Sequence, residues 1–276
     1  MPTPEAKARQ NIDAQLTACG WVVQDRLALN LYIGRGVAVR EFPLETGYAD
    51  YLLFVDQRAV GVVEAKAEGV PLAGVAEQAA YYATGLPANI PHVSLPLPFL
   101  YESTGVETFF RDNRDPEPRS RRLFAFHRPE TLADWLSQPD TLRARLRLMP
   151  ERFPLMMDNL WSAQIEAITH LEGSFAADHP RALIQMATGS GKTFTAVNFV
   201  YRLIKHAKAR RVLFLVDRNN LGDQTLKEFQ NFQPPGTAHR FTDTYIVQHL
   251  SANRIDRDAK VVITPFERLY AMLRWQ

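Results

Sequence analysis

A single cysteine, Cys19, is all the thiol in this 276-residue chain. That excludes an internal disulfide framework and a cysteine-ligated zinc site, and makes a reducing compartment the simplest setting. Long apolar runs are also lacking; stretches such as Val212–Val216 are far too short to span a bilayer. The N-terminal Met1-Pro-Thr-Pro-Glu-Ala-Lys-Ala-Arg-Gln10 has no signal-peptide core, so the chain reads as cytoplasmic, with no membrane partner. Net charge is nearly absent, at +2. No bulk cationic field therefore recruits nucleic acid, and any such contact must come from local patches. There is no internal repeat and no low-complexity tract. What remains, 46% hydrophobic and 22% charged, is the composition of a soluble globular protein, with length enough for two domains.

The periodicities give an order of elements. Residues 4–19 read as an amphipathic helix, with Ala8, Ile12, Leu16 and Cys19 at helical spacing and Gly20 as a stop. Strands are expected at 36–42, 48–55 and 59–65, and a helix at 72–84. The proline-rich 86–98 cannot be regular helix. Residues 111–122 read as an exposed loop and Leu132–Leu148 as one helix. A domain boundary is expected near 150–156, giving domains 1–150 and 151–276. Beyond it the pattern alternates: a helix at 161–171, a buried strand Ala182–Met186, a helix at 191–207, the strand Val212–Val216, a helix at 219–230, the strand Lys260–Thr264 and a last helix. Such alternation implies a parallel sheet flanked by helices.

Two motifs carry chemistry. The runs Tyr51–Val55 and Val60–Val63 should pair as a hairpin, which brings Asp50 opposite residue 65. Side chains alternate along a strand, so Glu64 and Lys66 share a face. Two carboxylates can hold Mg²⁺, which prefers oxygen ligands and retains waters, and a lysine beside that water can orient it. Asp50, Glu64 and Lys66, with Gln78 and Tyr82 four residues apart on the next helix, resemble the PD-(D/E)xK nuclease fold in its Gln-x-x-x-Tyr variant. Glu5 is the candidate for that family's acidic residue on the first helix. The family's proline is replaced by Ala49. A solvated strand end with an incidental ion pair is the rival reading of the carboxylates. For Gln78 and Tyr82 the rival is a helix packing its amide and ring on the sheet.

The second motif is Ala187-Thr188-Gly189-Ser190-Gly191-Lys192-Thr193, after an expected strand and opening an expected helix. Its glycines let backbone N–H groups approach phosphates at a helix N-terminus. Lys192 should reach the β/γ-phosphates of ATP, and Thr193 should ligate Mg²⁺. With alanine at the first glycine position, the segment resembles superfamily 2 helicases and translocases. Gln164 matches that superfamily's adenine-reading glutamine, with a merely exposed glutamine on a helix as the rival reading. The resemblance places Asp217 and Arg218 in the region that lies along the DNA backbone, with a strand-end ion pair as the alternative. It makes Thr264 a candidate phosphate contact. No acidic Walker B strand occurs downstream of Lys192, and the later motifs and second lobe are missing, so the motor part is expected to be incomplete.

An N-terminal nuclease of this variant followed by a superfamily 2 motor resembles the restriction subunit of type I restriction–modification enzymes. The resemblance implies an α/β fold: a PD-(D/E)xK-like mixed sheet with helices, then an incomplete RecA-like parallel-sheet phosphate-loop domain. It implies Mg²⁺- and ATP-dependent translocation and cleavage of unmethylated double-stranded DNA, with methylation and specificity subunits as partners. Another nuclease–helicase fusion of defence or repair, or a catalytically silent DNA- or partner-binding remnant, remains open at this point.

Overall fold

The computed structural model of the chain describes residues 3–45, 47–72 and 85–274. The chain divides into two compact units, Met1–Thr141 and Leu142–Gln276. The division precedes the expected boundary because α3 (Leu142–Arg152) belongs to the second unit. Its Leu146 and Met149 pack with Ala207, and Arg145 Nε donates to Ala207 O at 2.7 Å.

The first unit is built on a mixed seven-stranded sheet: β1 (Val22–Asp25), β2 (Gly36–Leu44), β3 (Gly47–Val55), β4 (Arg58–Ala65), β5 (Phe99–Ser103), β6 (Thr108–Asp112) and β7 (Arg121–Leu123), in that spatial order. The pairs β1–β2 and β4–β5 are parallel and the rest antiparallel. Helix α1 (Pro4–Ala18) starts where Thr3 Oγ1 accepts from Ala6 N at 3.2 Å, with proline at the first position. It ends at Cys19 and Gly20, whose φ is +88°. Ala8, Ile12 and Leu16 are its buried stripe. Ile12 and Leu16 pack on one sheet face with Tyr51, Leu53, Val63 and Tyr101. Leu52, Val62 and Leu100 pack on the other, with Leu86 and Leu97. Burying each such side chain contributes roughly 1.5–3 kcal/mol.

The hairpin β3–β4 is antiparallel as expected, but its pairing slips: Phe54 faces Ala59 while Leu53 faces Gly61. Val60 is thus the extra residue of a β-bulge, and Tyr51 comes to face Val63. Gly61 permits the close approach of β5, since a Cβ there would lie 2.2 Å from Phe99 O. Two further expectations are corrected. The single helix at 132–148 is two, α2 (Pro129–Leu136) and α3, because Ser137-Gln-Pro-Asp-Thr141 interrupts it and Pro139 has no N–H to continue the ladder. The expected loop at 111–122 donates its ends to β6 and β7. Most of the helix expected at 72–84 lies outside the described residues.

The second unit holds a parallel three-stranded sheet in the order β8 (Val212–Val216), β10 (Val261–Pro265), β9 (Val247–His249). Helices α4 (Ser162–Ala176), α5 (Lys192–Lys205), α6 (Asn219–Asn231), α7 (Phe241–Thr244) and α8 (Phe266–Arg274) complete it. Val197, Val200, Tyr201 and Ile204 of α5 pack with Val216, Val261, Ile263, Phe229 and Phe241. Beneath α5, Arg202 pairs with the buried Glu172 through Nε–Oε1 and, at 2.9 Å, Nη2–Oε2. The expected strand Ala182–Met186 is not formed: the segment is irregular, and Leu183 is 95% exposed. Among the described residues β8, β10 and β9 pair only with one another, so no strand offers 182–186 a ladder. Among the described residues no helix is long and apolar enough to cross a membrane.

Candidate functional site

The end of the β3–β4 hairpin gathers the first set of residues. Asp50 Oδ2 accepts from Ala65 N at 2.7 Å, which ties the β3 carboxylate across to the strand that carries Glu64. Lys66 Nζ donates to Glu64 Oε1 at 2.8 Å. Asp50, Glu64 and Lys66 are thus brought together. Burial pushes the Asp50 carboxyl up, against the hydrogen bond from Ala65 and the charge of Arg9. Burial likewise pushes Glu64 up, opposed by Lys66 and reinforced by Asp50. Desolvated carboxylates with raised affinity for positive charge suit a cation or proton bound between them.

Glu5 joins this group through α1. Its Oε1 lies 3.5 Å from Arg9 Nη2, one turn on, and Arg9 Nη2 lies 2.5 Å from Asp50 Oδ1. Sequence reasoning missed Arg9, although its position four residues after Glu5 was a signal. It also missed Glu102 on β5, which pairs in register with Glu64. An acidic residue inside the apolar run Phe99-Leu-Tyr-Glu102 was the signal available. Gln78 and Tyr82 lie outside the described residues.

The donor set fits a hard divalent cation. Among the described residues no three ligating side chains already converge on one point. Asp50 is turned to Arg9 and Ala65, and Glu64 to Lys66. Mg²⁺ does not require such a cage, since it is usually held by one or two carboxylates and keeps several waters.

In the second unit the phosphate loop has the geometry its glycines predict. Gly189 and Gly191 have φ of +81° and +78°, the left-handed region. Gly191 caps α5, so the helix N-terminus opens on the loop. Lys192 Nζ lies 3.4 Å from Ala187 O, and Ser190 Oγ donates to the same carbonyl at 2.7 Å. Thr188, Gly189 and Lys192 are exposed, and Ser190 and Thr193 half-buried. Gln164 is buried rather than presented: its Oε1 accepts from Trp161 N at 3.0 Å and its Nε2 donates to Ser190 O at 3.2 Å. It therefore braces the loop.

Asp217 and Arg218 follow β8 as an exposed pair at 3.5 Å, the ion pair weighed against a DNA contact. The expectation for Thr264 is corrected. It is fully buried in the central strand and donates to Pro265 O at 3.2 Å, so it offers no surface to a phosphate.

Comparison with known proteins agrees with both halves. A family model described as the second domain of the type I restriction enzyme EcoKI endonuclease subunit matches residues 31–96. A second, described as type III restriction enzyme, res subunit, matches residues 158–275. The chain is 28% identical to the type I restriction enzyme EcoKI endonuclease subunit of Escherichia coli (strain K12), over 96% of this chain and 27% of that protein. It is 45% identical over 75 residues to the EcoAI endonuclease subunit of Escherichia coli, which covers 27% of this chain and 9% of the relative. A fragment structure described as an HsdR subunit of a type I restriction enzyme from Vibrio vulnificus YJ016 aligns over 99% of this chain and 49% of its own, at 21% identity and a TM-score of 0.35. The chain spans only about a quarter of the length of the EcoKI subunit, 27%. With a carboxylate–lysine hairpin matched by one family model and a phosphate loop matched by the other, the chain is similar in both units to the endonuclease subunits of restriction enzymes, and along 96% of its length to that of a type I enzyme.

Proposed function

We propose that the first unit is a divalent-cation-dependent DNA nuclease and the second the opening part of an ATP-driven motor. Together they would serve restriction of unmethylated double-stranded DNA in the cytoplasm, in complex with methylation and specificity subunits. The observation that carries this reading is the convergence of Asp50, Glu64 and Lys66 at one hairpin end, in a chain that also bears a phosphate loop. Asp50 and Glu64 supply oxygens for the cation, and Lys66 is placed to orient water or to stabilise charge on the phosphate. When bound, Mg²⁺ would polarise the phosphodiester and lower the pKa of a bound water. Gln78 and Tyr82 remain assigned to the same centre by the family resemblance.

In the second unit the N–H groups of residues 188–193 would cradle the ATP phosphates at the N-terminus of α5. Lys192 supplies the positive charge and Thr193 the hydroxyl for Mg²⁺. Gln164 holds the loop in shape from behind, beside the place the family gives to adenine. Asp217 and Arg218 stay exposed where a DNA backbone could lie.

Metal removal tests the reading. An assembled complex whose restriction subunit carries this chain should cut unmethylated DNA with Mg²⁺ and ATP, and should stop cutting when the cation is chelated. In a metal-free buffer with only ATP added, no cleavage should appear. Cleavage that persists under complete chelation would overturn the assignment.

A further inference from the structure

We propose that Glu102, on β5, is a third oxygen donor of the carboxylate–lysine centre and that with Glu64 it holds a hydrated divalent cation. This rests on reading the first unit as a metal-dependent nuclease, and adds to it a residue that the D…ExK pattern does not contain.

Topology places the residue. Strands β4 and β5 run parallel with Glu64 opposite Glu102 and Ala65 opposite Ser103. In adjacent strands, residues at one register leave by the same face, about 4.8 Å apart. The flanking positions identify that face. Val62 and Leu100 pack together on one side of the sheet, Val63 and Tyr101 on the other. Glu64 and Glu102, one alternation on from Val62 and Leu100, therefore stand side by side.

Burial makes the juxtaposition costly. Glu64 is 6% exposed and Glu102 is 4%. Two carboxylates at that spacing repel each other and have lost most of their water. Other buried carboxylates of this chain are compensated. Glu172 has both oxygens on Arg202, and Asp112 has both on Arg114, at 3.0 and 2.7 Å. Among the described residues Glu102 has nothing comparable, and its Oε2 is enclosed with no hydrogen-bond partner among them. The cation nearest in function, Lys66, is hydrogen-bonded to Glu64. Among the described residues the other enclosed polar atom without a partner is Nε of Arg9, the residue bound to Asp50. Both orphaned atoms thus belong to residues of one centre, and an oxygen with no donor is what a cation or its water completes. Burial and the Glu64 charge push the Glu102 carboxyl up to about 7, against the weaker pull of Lys66 and Arg111.

The test is Mn²⁺ binding by the 276-residue chain, read by calorimetry, together with its thermal midpoint with and without Mn²⁺. Three proteins are compared: wild type, Glu102→Gln and Glu64→Gln. Without metal, Glu102→Gln should melt higher than wild type, because a repelling charge has been removed. Its Mn²⁺ affinity should be about 10–100-fold weaker, and Mn²⁺ should raise its midpoint less than that of wild type. If Glu102→Gln binds Mn²⁺ as wild type does while Glu64→Gln loses binding, Glu102 is no ligand and the nuclease reading stands. If wild type binds no Mn²⁺, or neither variant changes the affinity, both fall. A Glu102→Gln chain that fails to fold without metal also overturns the proposal, since a carboxylate that costs stability cannot be needed for folding.

Discussion

Glu64→Gln should lower divalent-cation-dependent DNA cleavage by the assembled enzyme at least about 10²–10³-fold, the scale seen when one group that stabilises reacting charge is removed. Gln keeps the volume of Glu and removes the charge that burial penalises. The first unit should therefore remain folded, with an unchanged or higher melting midpoint without metal. ATP turnover should persist, because the phosphate loop lies in the other unit. Cleavage rates, ATP hydrolysis and a melting curve on one preparation check the three parts together. Cleavage at the wild-type rate would remove Glu64 from the centre.

Arg202→Met should destabilise the second unit by about 3–5 kcal/mol, the usual cost of leaving one partner of a buried ion pair alone. Glu172 is 3% exposed, and Arg202 supplies donors to both of its oxygens as well as to Phe153 O. Removing the guanidinium strands a charge and a carbonyl together. The double substitution Arg202→Met with Glu172→Leu should recover much of the loss, because the charge that needed a partner is gone as well. Denaturant unfolding followed by hydrogen exchange in α4 and α5 measures both. A single variant within about 0.5 kcal/mol of wild type would show that the pair contributes nothing.

Local chemistry was legible in the sequence wherever the determinants are local. Helix α1 follows from Thr3, Pro4 and the spacing of Ala8, Ile12 and Leu16, and the phosphate loop from Gly189, Gly191 and the helix that Lys192 opens. The hairpin end was legible too, but not its bulge at Val60, which depends on how β3 and β5 both pack against β4. The acidic Glu102 stood out in its apolar run, but its place beside Glu64 was not legible, because a parallel strand pair is joined through a long connection and no local pattern fixes its register. Ala182–Met186 shows the converse. The run is apolar enough for a buried strand, but a strand exists only where another offers it hydrogen bonds, and none of the described strands does. For Thr264 and Gln164, sequence spacing places a residue near a site but does not say whether its polar atoms are already used within the fold. Here Thr264 bonds Pro265, and Gln164 spans Trp161 and Ser190.

In the proposed function one chain carries two separate phosphate chemistries, hydrolysis of DNA at Asp50, Glu64 and Lys66 and binding of nucleotide at Lys192. The most direct measurement follows Mg²⁺-dependent DNA cleavage and nucleotide binding side by side in Lys66→Ala and Lys192→Ala. Lys66→Ala should lose cleavage and bind nucleotide as wild type does. Lys192→Ala should lose nucleotide binding, while its first unit still binds Mn²⁺ with wild-type affinity. Undiminished cleavage by Lys66→Ala, or undiminished nucleotide binding by Lys192→Ala, would contradict the account.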